Sequence, residues 1–185
     1  MQISLANQRI LVTGASRGIG RAIAKQLSAS GAEVIVHYNT QEEEAMSLLA
    51  ECSTTAYLAP CDLSNAAEVK GFIPRLVEKY GPISALVNNA GISPAAPDTL
   101  PTADWLEVWE KTFAVNTTAV GILCKEFVDH ARIQGNGRIV MISSRAAFRG
   151  DTPDYMAYAA SKGALVSLMR SIARHYGKEG IKAFL

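Results

Sequence analysis

The chain has 185 residues, of which 49% are hydrophobic and 19% charged, with a net charge of +1. That balance suits a folded chain with an ordinary apolar core and excludes a disordered segment. It leaves no basic stripe for nucleic acid, and no window reaches the roughly 18 apolar residues of a membrane span.

Short apolar runs alternate with longer helical periods, which predicts a parallel α/β sheet. Residues 9–13 form the first strand. A glycine-punctuated turn follows, then a helix with Ile19, Ile23 and Leu27 on one stripe, closed by Gly31. Residues 33–38 are the second strand, 41–51 its returning helix and 55–61 the third strand. The next helix carries an apolar stripe at Val69, Phe72, Ile73, Leu76, Val77 and Tyr80, with Ser64 or Asn65 as its cap. Pro74, past the first turn, predicts a kink or split costing about 3 kcal/mol unless the backbone there is already irregular. Residues 83–87 are the fourth strand, leading into Asn88, Asn89, Ala90 and Gly91. A proline-rich loop at 93–101 precedes a long helical stretch at 102–134. Then come a fifth strand at 138–142, a helix through 158–176, and the start of a sixth strand at 181–185. Together these predict one doubly wound, three-layer α/β/α domain over residues 1–185. The cysteines Cys52, Cys61 and Cys124 form no close pair, and residues 1–9 carry no signal-peptide core. Both features predict a reducing, cytoplasmic setting.

Gly14, Gly18 and Gly20, with Ala15, Ser16, Arg17 and Ile19 between them, sit directly between a strand and an amphipathic helix. There glycines permit a tight turn, close approach of a pyrophosphate and close helix–strand packing, and the helix start offers N–H groups to the phosphates. The bare pattern also suits an ordinary glycine-rich turn; its flanks favour the nucleotide. The second strand ends His37-Tyr38-Asn39-Thr40, with no acid before Glu42 to hold a ribose hydroxyl. Asn39 in that place and Arg17 in the turn predict NADP(H) over NAD(H), because a guanidinium suits a 2′-phosphate. Arg17 also reads as a solvated loop residue. His37, His130 and His175 show no metal-ligand spacing and read as structural or solvated, so no metal is expected.

Tyr158 and Lys162 stand four apart and share one face of their helix. An ammonium beside a phenol favours the phenolate, which suits proton exchange with a carbonyl or alcohol oxygen. Tyr155 is a rival, but Ala159 follows it four residues on and it lacks the cation.

Taken in order, the turn from Thr13 to Gly20, Asp62-Leu63, Asn88 through Gly91, Asn116, Ser144 and the Tyr158–Lys162 pair resemble the short-chain dehydrogenase/reductase family. Within it the chain is most similar to NADPH-using members related to 3-oxoacyl-[acyl-carrier-protein] reductases. The resemblance implies a Rossmann-type fold and reduction of a 3-oxoacyl or other ketone by hydride transfer, in the setting of fatty acid metabolism. It implies that Tyr158 is the general acid, that Ser144 bonds the substrate oxygen, and that Lys162 also grips the nicotinamide ribose. Asn116 is expected at a kink of the long helix, holding a water on Lys162. Asp62 and Leu63 are expected near the adenine, and Asn89, Ala90 and Gly91 along the ribose and the floor. Ser143 stays open as an alternative to Ser144, and Asp62 also suits a helix cap.

A small carbonyl compound or acyl thioester is the implied substrate, with Arg145, Phe148 and Tyr155 approaching its pocket. The family pairs the helices at 102–134 and 158–176 across a dimer axis, giving a homodimer or homotetramer; core packing accounts for their apolar residues equally well. The family also continues past residue 185 for on the order of 50–80 residues. A chain lacking that part is expected to miss its substrate lid and to leave an open apolar edge on the fifth strand. The alternative function is therefore a truncated, inactive nucleotide-binding or interaction module.

Overall fold

Alternation along β1 (Arg9–Val12) sets the layering, because Leu11 faces one core and Ile10 and Val12 the other. The structure is a computed structural model that describes residues 4–185. The expectation about the chain start falls partly on residues 1–3 and so lies outside the described residues.

The chain continues through α1 (Gly18–Ala29), β2 (Glu33–Tyr38), α2 (Glu42–Glu51) and β3 (Ala56–Pro60). It then forms α3 (Ala66–Val69), α4 (Phe72–Tyr80), β4 (Ala85–Asn88), α5 (Thr102–Phe113) and α6 (Ala119–Gln134). The remainder is β5 (Gly137–Met141), α7 (Ala146–Arg149), α8 (Met156–Tyr176) and β6 (Ile181–Phe184). The strands make one parallel sheet of order β3-β2-β1-β4-β5-β6. The chain runs outward from β1 to β3 and returns beside β1 at β4. The direction of winding therefore reverses between β1 and β4, where an open α/β sheet forms its ligand crevice.

On one face, Leu11, Ile35, Leu86 and Ile139 pack under Phe72, Ile73, Phe127 and Leu165. On the other, Val12, Val34, Val36 and Val87 pack with Ala24, Ala45 and Leu48. The doubly wound parallel sheet is as expected. No helix among the described residues is long and apolar enough to cross a membrane.

Three local expectations are corrected or sharpened. Ile19 does not join the stripe of Ile23 and Leu27; it is 65% exposed. It lies in the first turn of α1, beyond the last residue of β1, where no strand remains to cover it. Pro74 does not itself split its helix. The break lies before it, where Gly71 is left-handed at φ +76° and α4 starts afresh, putting Pro74 in the first turn, where a missing N–H costs nothing. Finally, β5 is not an open edge: β6 pairs with it from Gly137↔Ile181 to Val140↔Phe184. Four residues of strand suffice, because Gly180 takes the left-handed turn that brings them alongside.

Candidate active site

Hydrogen bonds between strand ends build the first half of the site. Thr13 is buried at the end of β1, and its Oγ1 accepts from Asn89 N at 2.9 Å and Ala90 N at 3.0 Å. Asn89 Nδ2 donates to Thr13 O at 2.9 Å and Gly14 O at 3.1 Å. The Gly14 N–H donates to His37 Nδ1 at 2.9 Å, and Ala15 N donates to His37 O at 2.9 Å. Because Nδ1 accepts, the ring proton sits on Nε2, which donates to Cys61 O at 3.0 Å. Burial pushes the His37 pKa down to about 4, so the imidazole is neutral.

α1 starts at Gly18 with no side chain capping it and no acid in its first turn. Its leading N–H groups and positive dipole end are therefore left for an anion. Gly18 holds φ at +56°, and a Cβ there would meet nothing within 4 Å, so bare backbone faces open space. At Gly20 a Cβ would run into Gly14 O and Asn89 Nδ2, so the helix packs on the turn only as glycine. An uncapped helix start over bare backbone is what the pyrophosphate of a dinucleotide requires, and these residues fit one.

A cleft of about 440 Å³ opens over this turn. Of the residues expected there, Gly14, Ser16, Arg17, Gly18, Ile19, Asn39, Asp62, Leu63, Asn89, Ala90 and Gly91 line it. Ala15 and Gly20 lie buried below it and shape the turn instead. Arg17 is exposed, and its side chain makes no hydrogen bond or ion pair among the described residues. Asp62 both lines the cleft and closes its own turn, accepting from Ser64 N and Oγ at 2.8 Å. The cap of α3 is Asn65, which accepts from Ala67 N at 3.0 Å. Tyr158 and Lys162, also expected to hold the cofactor, do not line this cleft, and neither do Arg145, Phe148 and Tyr155.

His37, Tyr38, Thr40, Gln41, Ile92 and Val115 also line it and were not anticipated. For those between His37 and Gln41 a signal existed: they follow or end a parallel strand, where the crevice opens. For Val115 the sequence carries none.

The second half comes from α5, α6 and α8. Between α5 and α6 the backbone widens into a π-turn at Ala114–Thr118, the irregularity expected around Asn116. Asn116 is fully buried; its Oδ1 accepts from Ile92 N at 2.8 Å and its Nδ2 donates to Ile92 O at 2.9 Å and Ser161 Oγ at 3.0 Å. Ser161 Oγ in turn donates to Tyr158 O at 2.8 Å.

Lys162 is only 4% exposed, and its Nζ donates to Ile142 O at 2.8 Å and lies 5.8 Å from the Tyr158 ring centroid. The two side chains therefore share a face. Burial pushes the Lys162 ammonium below its ordinary pKa. A Cβ placed on Gly91 would lie 3.3 Å from both Lys162 Nζ and Asn116 Oδ1. These groups thus converge where the cleft floor meets α8. Ser143 Oγ donates to Lys162 O at 3.3 Å, whereas Ser144 Oγ accepts from Ala146 N at 3.2 Å and keeps its own proton available. No hydrogen bond joins Ser144 to Tyr158. Among the described residues no three His, Cys, Asp or Glu side chains gather as a metal site.

A parallel sheet with a glycine turn at its switch point and a Tyr–Lys pair beside it defines a dinucleotide-dependent oxidoreductase scaffold. The family model for short chain dehydrogenases matches residues 8–184. A 3-oxoacyl-[acyl-carrier-protein] reductase of Synechocystis sp. is 35% identical over 96% of this chain and 72% of its own length. A hydroxynaphthalene reductase-like protein of Metarhizium guizhouense is 34% identical over 96% of this chain and 66% of its own. The solved structure of a 3-oxoacyl reductase from Agrobacterium tumefaciens with NADP bound superposes with a TM-score of 0.85 at 30% identity. That superposition covers 97% of this chain and 69% of the other. The chain belongs to the short-chain dehydrogenase/reductase family, whose members are NAD(P)-dependent oxidoreductases.

Proposed function

We propose that the chain binds NADP(H) in preference to NAD(H) and reduces a 3-oxoacyl compound or other ketone to an alcohol. The convergence of Lys162 and Asn116 on Gly91, a cleft-lining residue, with Tyr158 on the same helix face as Lys162, carries this proposal. The nicotinamide, when bound, supplies the hydride. The chain's own groups orient the substrate and move the proton. Tyr158 gives its phenolic proton to the carbonyl oxygen, and the Lys162 charge stabilises the negative oxygen left behind. Ser144 keeps an O–H to donate toward the substrate oxygen, while Ser143 spends its own on Lys162 O, which favours Ser144 in that role. Asn116 ties the loop after β4 to α8 and so holds Gly91 against Lys162.

The phosphate preference rests on Arg17, a cation at the cleft mouth with no partner among the described residues, and on the absence of an acid at the end of β2. Three unpaired cysteines suit a reducing, cytoplasmic setting. One nucleotide-binding domain spanning residues 1–185 pairs with a second copy through the helices at 102–134 and 158–176.

NADPH and NADH titrations, followed by NADPH oxidation with acetoacetyl thioesters and small ketones, test the reading. Wild type is expected to bind NADPH at least about tenfold tighter, a difference of about 1.4 kcal/mol. Tyr158→Phe should bind it equally well and lose at least about 10²-fold in rate, the range expected when a general acid is removed. Equal rates in the two proteins remove the mechanism. A wild type that binds NADPH and turns over no ketone supports instead an inactive nucleotide-binding module.

A further inference from the structure

We propose that His37 is a positioning residue for the dinucleotide: its imidazole fixes the Gly14 amide on one side and the adenosine wall on the other, and so governs cofactor affinity. This rests on the dinucleotide-binding reading above.

The imidazole belongs to β2 but spends both nitrogens on its neighbours. Nδ1 takes the Gly14 N–H at 2.9 Å, at the end of β1, and Nε2 donates to Cys61 O at 3.0 Å, just past β3. Its own backbone oxygen takes the Ala15 N–H at 2.9 Å. One residue thus joins three neighbouring strand ends under the cleft. The ring is 2% exposed and stands edge-on to Phe72, with centroids 5.7 Å apart and planes at 81°, so it has no room to swing. Gly14 O is already held by Asn89 Nδ2 at 3.1 Å. With both polar groups of Gly14 occupied inside the protein, the amides left for a pyrophosphate are those at the start of α1.

Without the Nδ1 acceptor, the Gly14 N–H must turn toward the cleft to find a partner, and the turn loses the shape that presents those amides. The Nε2 bond acts on the other wall: Cys61 precedes Asp62 and Leu63, which line the cleft. Loss of the imidazole should therefore weaken contacts to the adenosine half and leave the Tyr158 end, built from α5, α6 and α8, undisturbed.

Binding of NADPH, of 2′-phospho-ADP-ribose and of reduced nicotinamide mononucleotide is measured for wild type, His37→Phe, His37→Asn and His37→Gln. His37→Phe keeps the ring but neither hydrogen bond. It is expected to raise Kd for NADPH and 2′-phospho-ADP-ribose alike by about tenfold, or about 1.4 kcal/mol, with the mononucleotide unchanged. An Asn carbonyl can reach where Nδ1 stood, so His37→Asn should recover to within about threefold of wild type. A Gln amide reaches Cys61 O but offers no acceptor at Gly14, so His37→Gln should bind weakly even where His37→Phe fails to fold. The assignment is overturned if Phe and Gln bind within about twofold of wild type, if the loss falls equally on the mononucleotide, or if Asn is as weak as Gln. A wild type that binds no dinucleotide sinks the oxidoreductase reading itself and takes this role with it, an outcome distinct from variants that bind as well as a competent wild type.

Discussion

His37 and Lys162 are both bases taken out of water, and burial pushes both below their ordinary pKa. In the proposed mechanism Lys162 uses its charge beside Tyr158, whereas His37 serves as a neutral acceptor, and that difference has a measurable sign. Unfolded, His37 takes up a proton below pH 6.5; folded, it does not until about pH 4. Between those values the unfolded chain binds more protons, so native stability falls as pH drops from 6.5 toward 4. At about 1.4 kcal/mol per pH unit the whole window contributes about 3 kcal/mol. Urea denaturation at pH 7.5 and 4.5 should show wild type losing about 2–3 kcal/mol more than His37→Asn, which has no proton to gain. Equal losses would mean that the imidazole is already charged in the fold.

At the scale of elements, the break between α3 and α4 shows how a helix start can be served from elsewhere in the chain. Glu126 on α6 accepts from Gly71 N at 2.5 Å and Ile73 N at 3.2 Å, capping the start of α4 across 55 residues of sequence. Glu126→Ala leaves two part-buried N–H groups without a partner, at a cost of about 1–3 kcal/mol. For a chain of this size the melting temperature should fall by about 3–10 °C. The NADPH Kd should move by less than about twofold, because no residue of α4 lines the cleft and Phe72 meets it only through the His37 ring; a larger loss of affinity would show that the cap supports the site through that contact.

The strands were readable in advance because central parallel strands are continuous apolar runs. The glycine turn was readable because its spacing is tied to one local geometry. What was hidden depends on distant partners. Pro74 announced an irregular helix, but Gly71 and Glu126 decide where it breaks. Asn116 was placed at a kink, yet its bonds to Ile92 lie 24 residues away. His37 bonds Gly14 and Cys61 across 23 and 24 residues. Those pairings become visible only once β1, β2 and β3 stand side by side, and until then the histidine looks like any other.

For the whole molecule, a groove of about 840 Å³ lies between α6 and α8, against about 440 Å³ for the nucleotide cleft. Its floor includes Val128, Leu168, Ile172 and Tyr176, and its rim includes Lys125, Asp129 and Arg132. On the rim Lys125 pairs with Asp129 at 2.5 Å and Arg132 with Glu179 at 2.6 Å, while Arg174, exposed on the same lining, makes no ion pair among the described residues. An apolar trough whose rim charges are for the most part paired locally suits the same face of a second copy, as a two-fold dimer requires. Such a dimer must bury roughly 1,200–2,000 Å² in all to be stable, more than this groove alone, so the long helices must pair along their length. Ser171 tests this without touching the core: it is exposed, lines the groove, and spends its hydroxyl on Ser167 O. In Ser171→Arg an added guanidinium would face its own copy across the two-fold axis in a water-poor seam, where an unpaired charge is costly. Sedimentation equilibrium should find wild type paired and Ser171→Arg at least about tenfold weaker in self-association, a loss of about 1.4 kcal/mol, with NADPH binding unchanged. If wild type stays monomeric at about 50 µM, which a standard-size interface of micromolar or better affinity does not permit, these helices close only their own core.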